Sequence, residues 1–282
     1  MFSKATAFLL LGLFVTASQA TDGYFVNQRK EASMLISGVV NINADGSVRD
    51  YTLDHPEKLA APVTSLVQQT VQRWKFQFAS PPTGITSEKI SMRLVAHMVD
   101  DQHASIRVAG TAFDDAQDAD GESIQYKDRP HVDYPREALS EGAWGTVYLL
   151  VRIGKDGLVQ EASEEQTNLG TFAASADMTR YRQHLASAAI KAARQWTFIV
   201  PTKGKSADQP YWLARIPVNF GPAGQTLADE YGQWRTYVPG PRQSIPWLQE
   251  TKLANDSPDT VPDGTLHTLG NQPRLSPESS GS

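Results

Sequence analysis

The sequence predicts an α+β protein built from two tandem units, in each of which a helix packs on a small antiparallel sheet. Two observations predict this class. Along Leu185–Phe198 apolar residues recur at helical spacing, and along Tyr211–Phe220 they alternate with other residues, which indicates a helix followed by a half-buried strand. The same order of elements occurs earlier in the 282-residue chain, which indicates an internal duplication.

The second unit carries the clearer pattern. Thr146–Ile153 reads as a strand, Lys155–Gly157 as a turn, and Leu158–Glu165 as the returning strand. The helix predicted at Leu185–Gln195 has small alanines on its apolar face, which let it lie close to the sheet. Trp196 follows this helix directly, so we predict that its indole closes the contact and belongs to the core.

The first unit repeats this order of strand, turn, returning strand and helix. Met34–Asn43 reads as a strand that runs into the turn Asp45-Gly46, and after a returning strand and a helix the alternation resumes at Ile90–Leu94. The helix is predicted because apolar residues from Val63 onwards take helical spacing. This run ends at Trp74, which we also predict to be a core residue.

The two frames differ in length between the turn and the tryptophan. Gly46 lies 28 residues before Trp74 and Gly157 lies 39 residues before Trp196, so the second unit has 11 additional residues. We place them in a loop at Asn168–Thr179, because loops accept insertions at little entropic cost.

The N-terminus is typical of a secretory signal. Lys4 precedes an apolar run, and the small residues Ala17–Ala20 precede a cleavage site before Thr21. The run is shorter than the roughly 20 apolar residues that a spanning helix needs, so we expect cleavage and export to the periplasm. The alternative is a retained segment that anchors the chain in the inner membrane.

Composition sets the remaining boundaries. The region before 129–220 is rich in acidic and small residues, and the region after it is rich in proline and glycine, aromatic at first and predicted to be disordered from Asn255. The predicted divisions are a signal peptide at 1–20, a first unit at 21–113, an acidic linker at 114–128, a second unit at 129–220 and a tail at 221–282.

Composition and motifs also narrow the function. The chain has no cysteine, so neither disulfides nor thiolate chemistry can operate in it, and its formal net charge of -5 argues against a nucleic-acid partner. It contains no Gly-x-Ser-x-Gly, His-Glu-x-x-His or Gly-x-Gly-x-x-Gly motif. Glu161, Glu164 and Glu165 read as a solvated face. We therefore expect no enzyme activity, no cofactor and no metal site.

Residues 129–220 resemble the C-terminal domain of the TonB family. The motifs that carry the resemblance, in order, are Tyr134-Pro135, Gly142-x-x-Gly145, Asp156-Gly157, Trp196-x-Phe198 and Ile216-Pro217-Val218-Asn219-Phe220. Met34–Met98 looks like a degenerate copy without the Tyr-Pro element. The resemblance implies helices on a three-stranded antiparallel sheet, and contact with outer-membrane receptors from the periplasm. Because no long proline-rich spacer is present, we expect binding rather than energy transduction.

The last strand of the second unit supplies the predicted binding site. The edge of an antiparallel sheet can accept an extended peptide through main-chain hydrogen bonds, and Pro217 interrupts such pairing on the side that its nitrogen faces. We therefore predict peptide contacts at Tyr211, Leu213 and Arg215, before the proline. Alternatively, Pro217 only guards the edge against aggregation, or the edge pairs with the other unit.

Tyr134 and Pro135 form a second predicted recognition element. The alternative for Tyr134 is local packing beside the proline that starts a helix.

Together these features predict a TonB-like periplasmic module that binds protein or peptide, such as an outer-membrane receptor in transport, with no membrane span after signal cleavage. One alternative is a structural cell-envelope protein whose two sheets pair with each other. Another is an enzyme whose site is assembled from dispersed residues.

Overall fold

The computed structural model describes residues 31–78, 80, 82–98, 104–115, 121–204, 206–222, 231–248, 257–270 and 273–276. The predicted signal peptide, Met1–Ala20, lies outside the described residues, as do residues 21–30. None of the helices in the described ranges is long and apolar enough to cross a membrane.

The described residues form an α+β fold of three α-helices and several antiparallel sheets. The first unit comprises β1 (Glu31–Ile42), β2 (Val48–Leu53), α1 (Ala61–Val71), β3 (Phe76–Gln77), β4 (Thr86–Met98) and β5 (Ala104–Asp115). The second comprises β6 (Gln125–Asp128), α2 (Arg136–Ser140), β7 (Gly145–Gly154), β8 (Val159–Leu169), α3 (Ser175–Ala193), β9 (Thr197–Ile199) and β10 (Tyr211–Phe220). The tail adds β11 (Arg235–Tyr237), β12 (His267–Leu269) and β13 (Arg274–Leu275), and 3-10 helices occur at Pro56–Lys58 and Pro258–Thr260.

The two larger sheets are built on the same three-stranded frame. In the first, β1 lies between β2 and β4, and in the second, β7 lies between β8 and β10. A fourth strand extends each sheet beyond this frame: β5 pairs with β4, and β12 pairs with β10. Strand β11 also pairs with the start of β1. The predicted order of strand, turn, strand, helix and strand is therefore present in both units.

A separate core lies under the main helix of each unit. Helix α1 buries Val63, Val67 and Val71, which recur every four residues and so form one face. Both indoles, of Trp74 and Trp196, are buried in these cores, which confirms their prediction as core residues.

The Asp-Gly turns have the same geometry in both units. Gly46 and Gly157 have φ angles of +82° and +77°, a region that favours glycine. The carbonyl of each glycine accepts a hydrogen bond of 2.8 Å from a phenylalanine N–H two residues beyond the core tryptophan, in Phe76 and Phe198. Each turn is thereby fixed to the strand that follows the helix.

The additional residues of the second unit are not in a loop, so that prediction is wrong. Helix α3 has 19 residues against 11 in α1, and β8 has 11 residues against six in β2. The reason is that Met178 and Tyr181 continue the buried face of Leu185 towards the N-terminus. The predicted loop Asn168–Thr179 therefore contains the end of β8 and the first turn of α3.

The linker and the tail contain more structure than predicted. The range 114–128 includes the end of β5 and the whole of β6, which pairs with β9. The predicted disorder from Asn255 is wrong for residues 257–270 and 273–276, where a buried 3-10 helix precedes β12 and β13. Because their pairing partners lie far away in sequence, these strands leave no local pattern to recognise.

Replacing Gly157 by alanine should lower the free energy of unfolding by roughly 2 to 4 kcal/mol. Alanine is strained at a left-handed φ angle, and its Cβ would also clash with the neighbouring strand. An added Cβ would lie 2.1 Å from the carbonyl oxygen of Phe198. Gly142 is the matched control, since its φ is +65° but no atom lies within 4 Å of an added Cβ. Gly142→Ala should cost only about 1 to 2 kcal/mol. Urea unfolding followed by tryptophan fluorescence measures both, and equal losses would contradict the turn geometry.

Candidate functional site

The predicted peptide-binding edge is occupied by the tail of the same chain. Strand β12 pairs antiparallel with β10, and the paired residues are Leu213 with Leu269, Ala214 with Thr268, and Arg215 with His267. On its other side, β10 pairs with β7 along all ten residues. The expectation of a free edge at Leu213 and Arg215 is therefore wrong: a strand that begins more than 50 residues later in the sequence covers it.

Arg215 cannot contact a bound peptide with its side chain as predicted, because that side chain is fully buried. Its Nε and Nη2 atoms donate to the two carboxylate oxygens of Glu165, at 2.5 and 3.0 Å. Its Nη1 atom has no hydrogen-bond partner within the described structure. Glu165 is also buried, which corrects its assignment to a solvated face. The pair instead fixes β10 against β8.

Leu213 and Tyr211 have different environments. Leu213 is buried in a small apolar cluster on the sheet face opposite α3, together with Leu150 and Ile245. Tyr211 precedes the part of β10 that β12 covers, and the residue is 36% exposed. It lines a pocket of about 140 Å³ at the end of β12, and the Arg152 guanidinium lies 5.5 Å from its ring centroid. Of the three predicted contact residues, Tyr211 alone is open to a ligand as the chain stands.

The first part of the tail explains why this face of the sheet is buried. Ile245, Trp247 and Leu248 pack over Leu150 and Leu213. The Trp247 indole N–H donates to the Ser163 hydroxyl at 2.8 Å. The Gln243 N–H donates to the Glu165 carbonyl, also at 2.8 Å. An antiparallel sheet commonly has one solvated face. Here α3 covers one face and the tail covers the other.

The occupied edge also contacts the first unit. The His267 side chain, 3% exposed, places Nδ1 2.7 Å from a carboxylate oxygen of Asp114, which lies in β5. An ionised carboxylate only accepts hydrogen bonds, so Asp114 favours the imidazole form that has a proton on Nδ1. The side chain of Asp114 remains 42% exposed. Strand β12 therefore lies between an acidic residue of the first unit and the edge strand of the second.

The 3-10 helix at Pro258–Thr260 ties the same part of the tail to both units. The Asp259 carbonyl accepts a 2.7 Å hydrogen bond from Nε of Arg93, in the first unit. The Asp259 carboxylate accepts hydrogen bonds from the Asn168 amide, in the second unit, and from the Tyr237 hydroxyl, both at 3.3 Å. Burial, followed by the charges of Asp259 and Glu31, raises the pKa of Tyr237 far above its ordinary value, so this hydroxyl remains a donor.

Tyr134 packs locally. Its hydroxyl donates to the carbonyl of Ala143 at 2.6 Å, and its ring lies edge-on to Phe220, with centroids 5.4 Å apart. Burial raises the pKa of this hydroxyl. Pro135 is the N-cap residue of α2 and not its first residue. Both residues thus fix the entry of α2, and their role in recognition stays a prediction.

Two further observations concern the acidic groups of the described residues. Burial raises the pKa of Glu164, although the Thr167 hydroxyl donates to its carboxylate and partly offsets this. In the described ranges, no three His, Asp or Glu side chains gather in a group that could hold a metal ion.

Comparisons with protein-family models, with curated proteins and with solved structures find no match to this chain. The likeness to the TonB C-terminal domain therefore rests on the sequence motifs, and membership of that family stays a prediction.

Replacing Glu165 by glutamine should lower the free energy of unfolding by about 3 kcal/mol or more, because it leaves the Arg215 charge buried without compensation. Glu161→Gln is the matched control: the Glu161 carboxylate is 41% exposed and 3.9 Å from Arg152. Its loss should cost less than about 1 kcal/mol. Chemical denaturation at neutral pH measures both. Similar small losses would mean that water reaches Arg215, against the burial described above.

Proposed function

We propose that this protein is a binding module that takes up an extended segment of a partner protein as an added strand on β10. The observation that supports this proposal is that β10 already pairs in register with a strand from a remote part of its own chain. The main-chain groups of β10 can therefore pair with a strand that no short turn connects to β10. This is the chemistry of peptide binding by strand addition.

The tail strand is suited to exchange because it is short. It pairs with three residues of β10, whereas β7 pairs with ten. Strand β10 would thus keep its place in the sheet when β12 leaves. The pocket beside Tyr211 is lined both by β10 and by the tail residues Thr268, Leu269, Gly270 and Arg274. A segment that replaces β12 would therefore take over the tail's part of this pocket.

The location and the partner class of this proposal come from the sequence. The signal-like residues Met1–Ala20 favour the periplasm, and the TonB-like motifs favour a periplasmic segment of an outer-membrane receptor as the partner. In this proposal the chain contributes to outer-membrane transport through binding and does not transmit energy itself.

A structural role in the cell envelope is the second candidate. It is favoured by the way in which the tail reaches both units: β11 and β13 pair with strands of the first, and β12 pairs with the second. If that role is correct, β12 is a permanent part of the sheet. The two candidates therefore differ in whether β12 can be replaced.

Replacing Leu269 by proline should open the β10 edge, because Leu269 pairs with Leu213, whose main-chain groups face β12, and proline removes a main-chain donor from this three-residue strand. Leu269→Val is the matched control, since it keeps the main-chain donor and an apolar side chain. A fluorescent peptide with the sequence of residues 262–270 serves as the probe. The tail competes at an effective concentration in the millimolar range, so we expect the proline variant to bind the probe at least about tenfold more tightly than the valine variant.

Fluorescence anisotropy measures this affinity, and hydrogen exchange of the Leu213–Arg215 amides locates the bound probe. Thermal unfolding verifies that the proline variant is folded. A folded proline variant that binds no probe would reject strand addition and favour the structural role.

A further inference from the structure

The β10 edge is assembled from both units, and this gives it a chemical preference. We infer that the edge selects extended segments in which an apolar residue, an imidazole or cationic residue, a β-branched residue and an apolar residue follow one another. The tail satisfies this pattern with Leu266, His267, Thr268 and Leu269. Asp114 of the first unit is the residue that determines the second position. This inference rests on the proposed function and names the ligand class of the same site.

The two faces of β12 supply the apolar and β-branched positions. Leu269 pairs with Leu213 and joins the apolar cluster on the face opposite α3. Leu266 packs against the core on the α3 side. Thr268 lies across from Ala214, whose small buried side chain leaves room for a branched neighbour. A segment that takes the place of β12 therefore has to offer apolar side chains to both faces, spaced three residues apart.

The charges around position 267 explain the preference for imidazole or a cation. Asp114 faces this position from β5, and Arg215 faces it from the paired residue of β10. The charge of Arg215 is balanced by Glu165, at bidentate hydrogen-bond distance. The carboxylate of Asp114 is left to bind the incoming side chain. It favours a donor or a positive charge, and it disfavours an acidic residue.

The edge therefore requires a residue that lies outside the second unit. Residues 129–220 contain the pairing strand and the apolar positions, but the carboxylate comes from the end of β5. An isolated second unit would bind through its main chain and its apolar positions, with less discrimination at the second position.

The test uses the full-length Leu269→Pro chain, in which the tail does not compete, and three fluorescent peptides. One has the sequence of residues 262–270, and the others carry leucine or glutamate at the position of His267. We expect the glutamate peptide to bind at least about tenfold more weakly than the native peptide, since a charge-assisted hydrogen bond is replaced by repulsion. Anisotropy titrations give the three affinities.

Asp114→Asn in the same background should weaken the native peptide by about five- to tenfold and leave the leucine peptide unchanged, because leucine makes no hydrogen bond to Asp114. Asp133→Asn is the control, since it makes the same change of charge at an exposed position in the loop before α2. It should change none of the affinities. Equal binding of all three peptides, with or without Asp114, would overturn the preference and leave strand addition intact. If no peptide binds, both proposals fail.

A second measurement uses the chain with its natural Leu269. Asp114→Asn, His267→Leu and the double variant are compared by hydrogen exchange at the amides of β12. Each single change should speed exchange by about five- to tenfold, and the double variant should exchange no faster than the single ones, because both remove the same contact. Multiplicative effects in the double variant would show that Asp114 and His267 act independently, which would overturn the inference even if the proline variant does not fold.

Discussion

The structure depends on the pairing of main-chain groups at the open edges of two small sheets. A strand at the end of a sheet presents N–H and carbonyl groups that need a partner or water. Beside the shared three-stranded frame, β5 covers the edge of β4 and β12 covers the edge of β10. The first of these strands is part of its own unit, whereas the second comes from the tail. The same constraint therefore has two solutions in one chain.

The tail also determines how the two units meet. Buried polar groups of both units, Arg93 and Asn168, donate to Asp259, and His267 contacts Asp114. Buried polar groups are costly unless they are paired, so these contacts favour one arrangement of the tail over others. The strand that covers the β10 edge is thereby held by the same contacts that join the units. Strand pairing at the edge and the arrangement of the units are physically connected.

Local patterns predicted the repeated frame, because its helices and strands show the hydrophobic period of their own structure. The turns at Gly46 and Gly157 and the buried indoles of Trp74 and Trp196 follow from such patterns. The pairing of Leu213 with Leu269 and the ion pair of Arg215 with Glu165 depend on contacts between distant segments. The alternation along Tyr211–Phe220 predicts an exposed side chain for Arg215, and only the path of the tail shows why that side chain is buried. The alternation of Leu266–Leu269 is too short to identify a strand by itself.

In the free protein the tail occupies the edge of β10. Nuclear Overhauser spectroscopy of the isotope-labelled full-length chain detects this pairing through cross-peaks between the two strands. We expect contacts between the α-protons or amide protons of Ala214 and Thr268, beside the contacts of β10 with β7. Resonances of His267–Leu269 at random-coil shifts, with contacts from β10 to β7 alone, would contradict it.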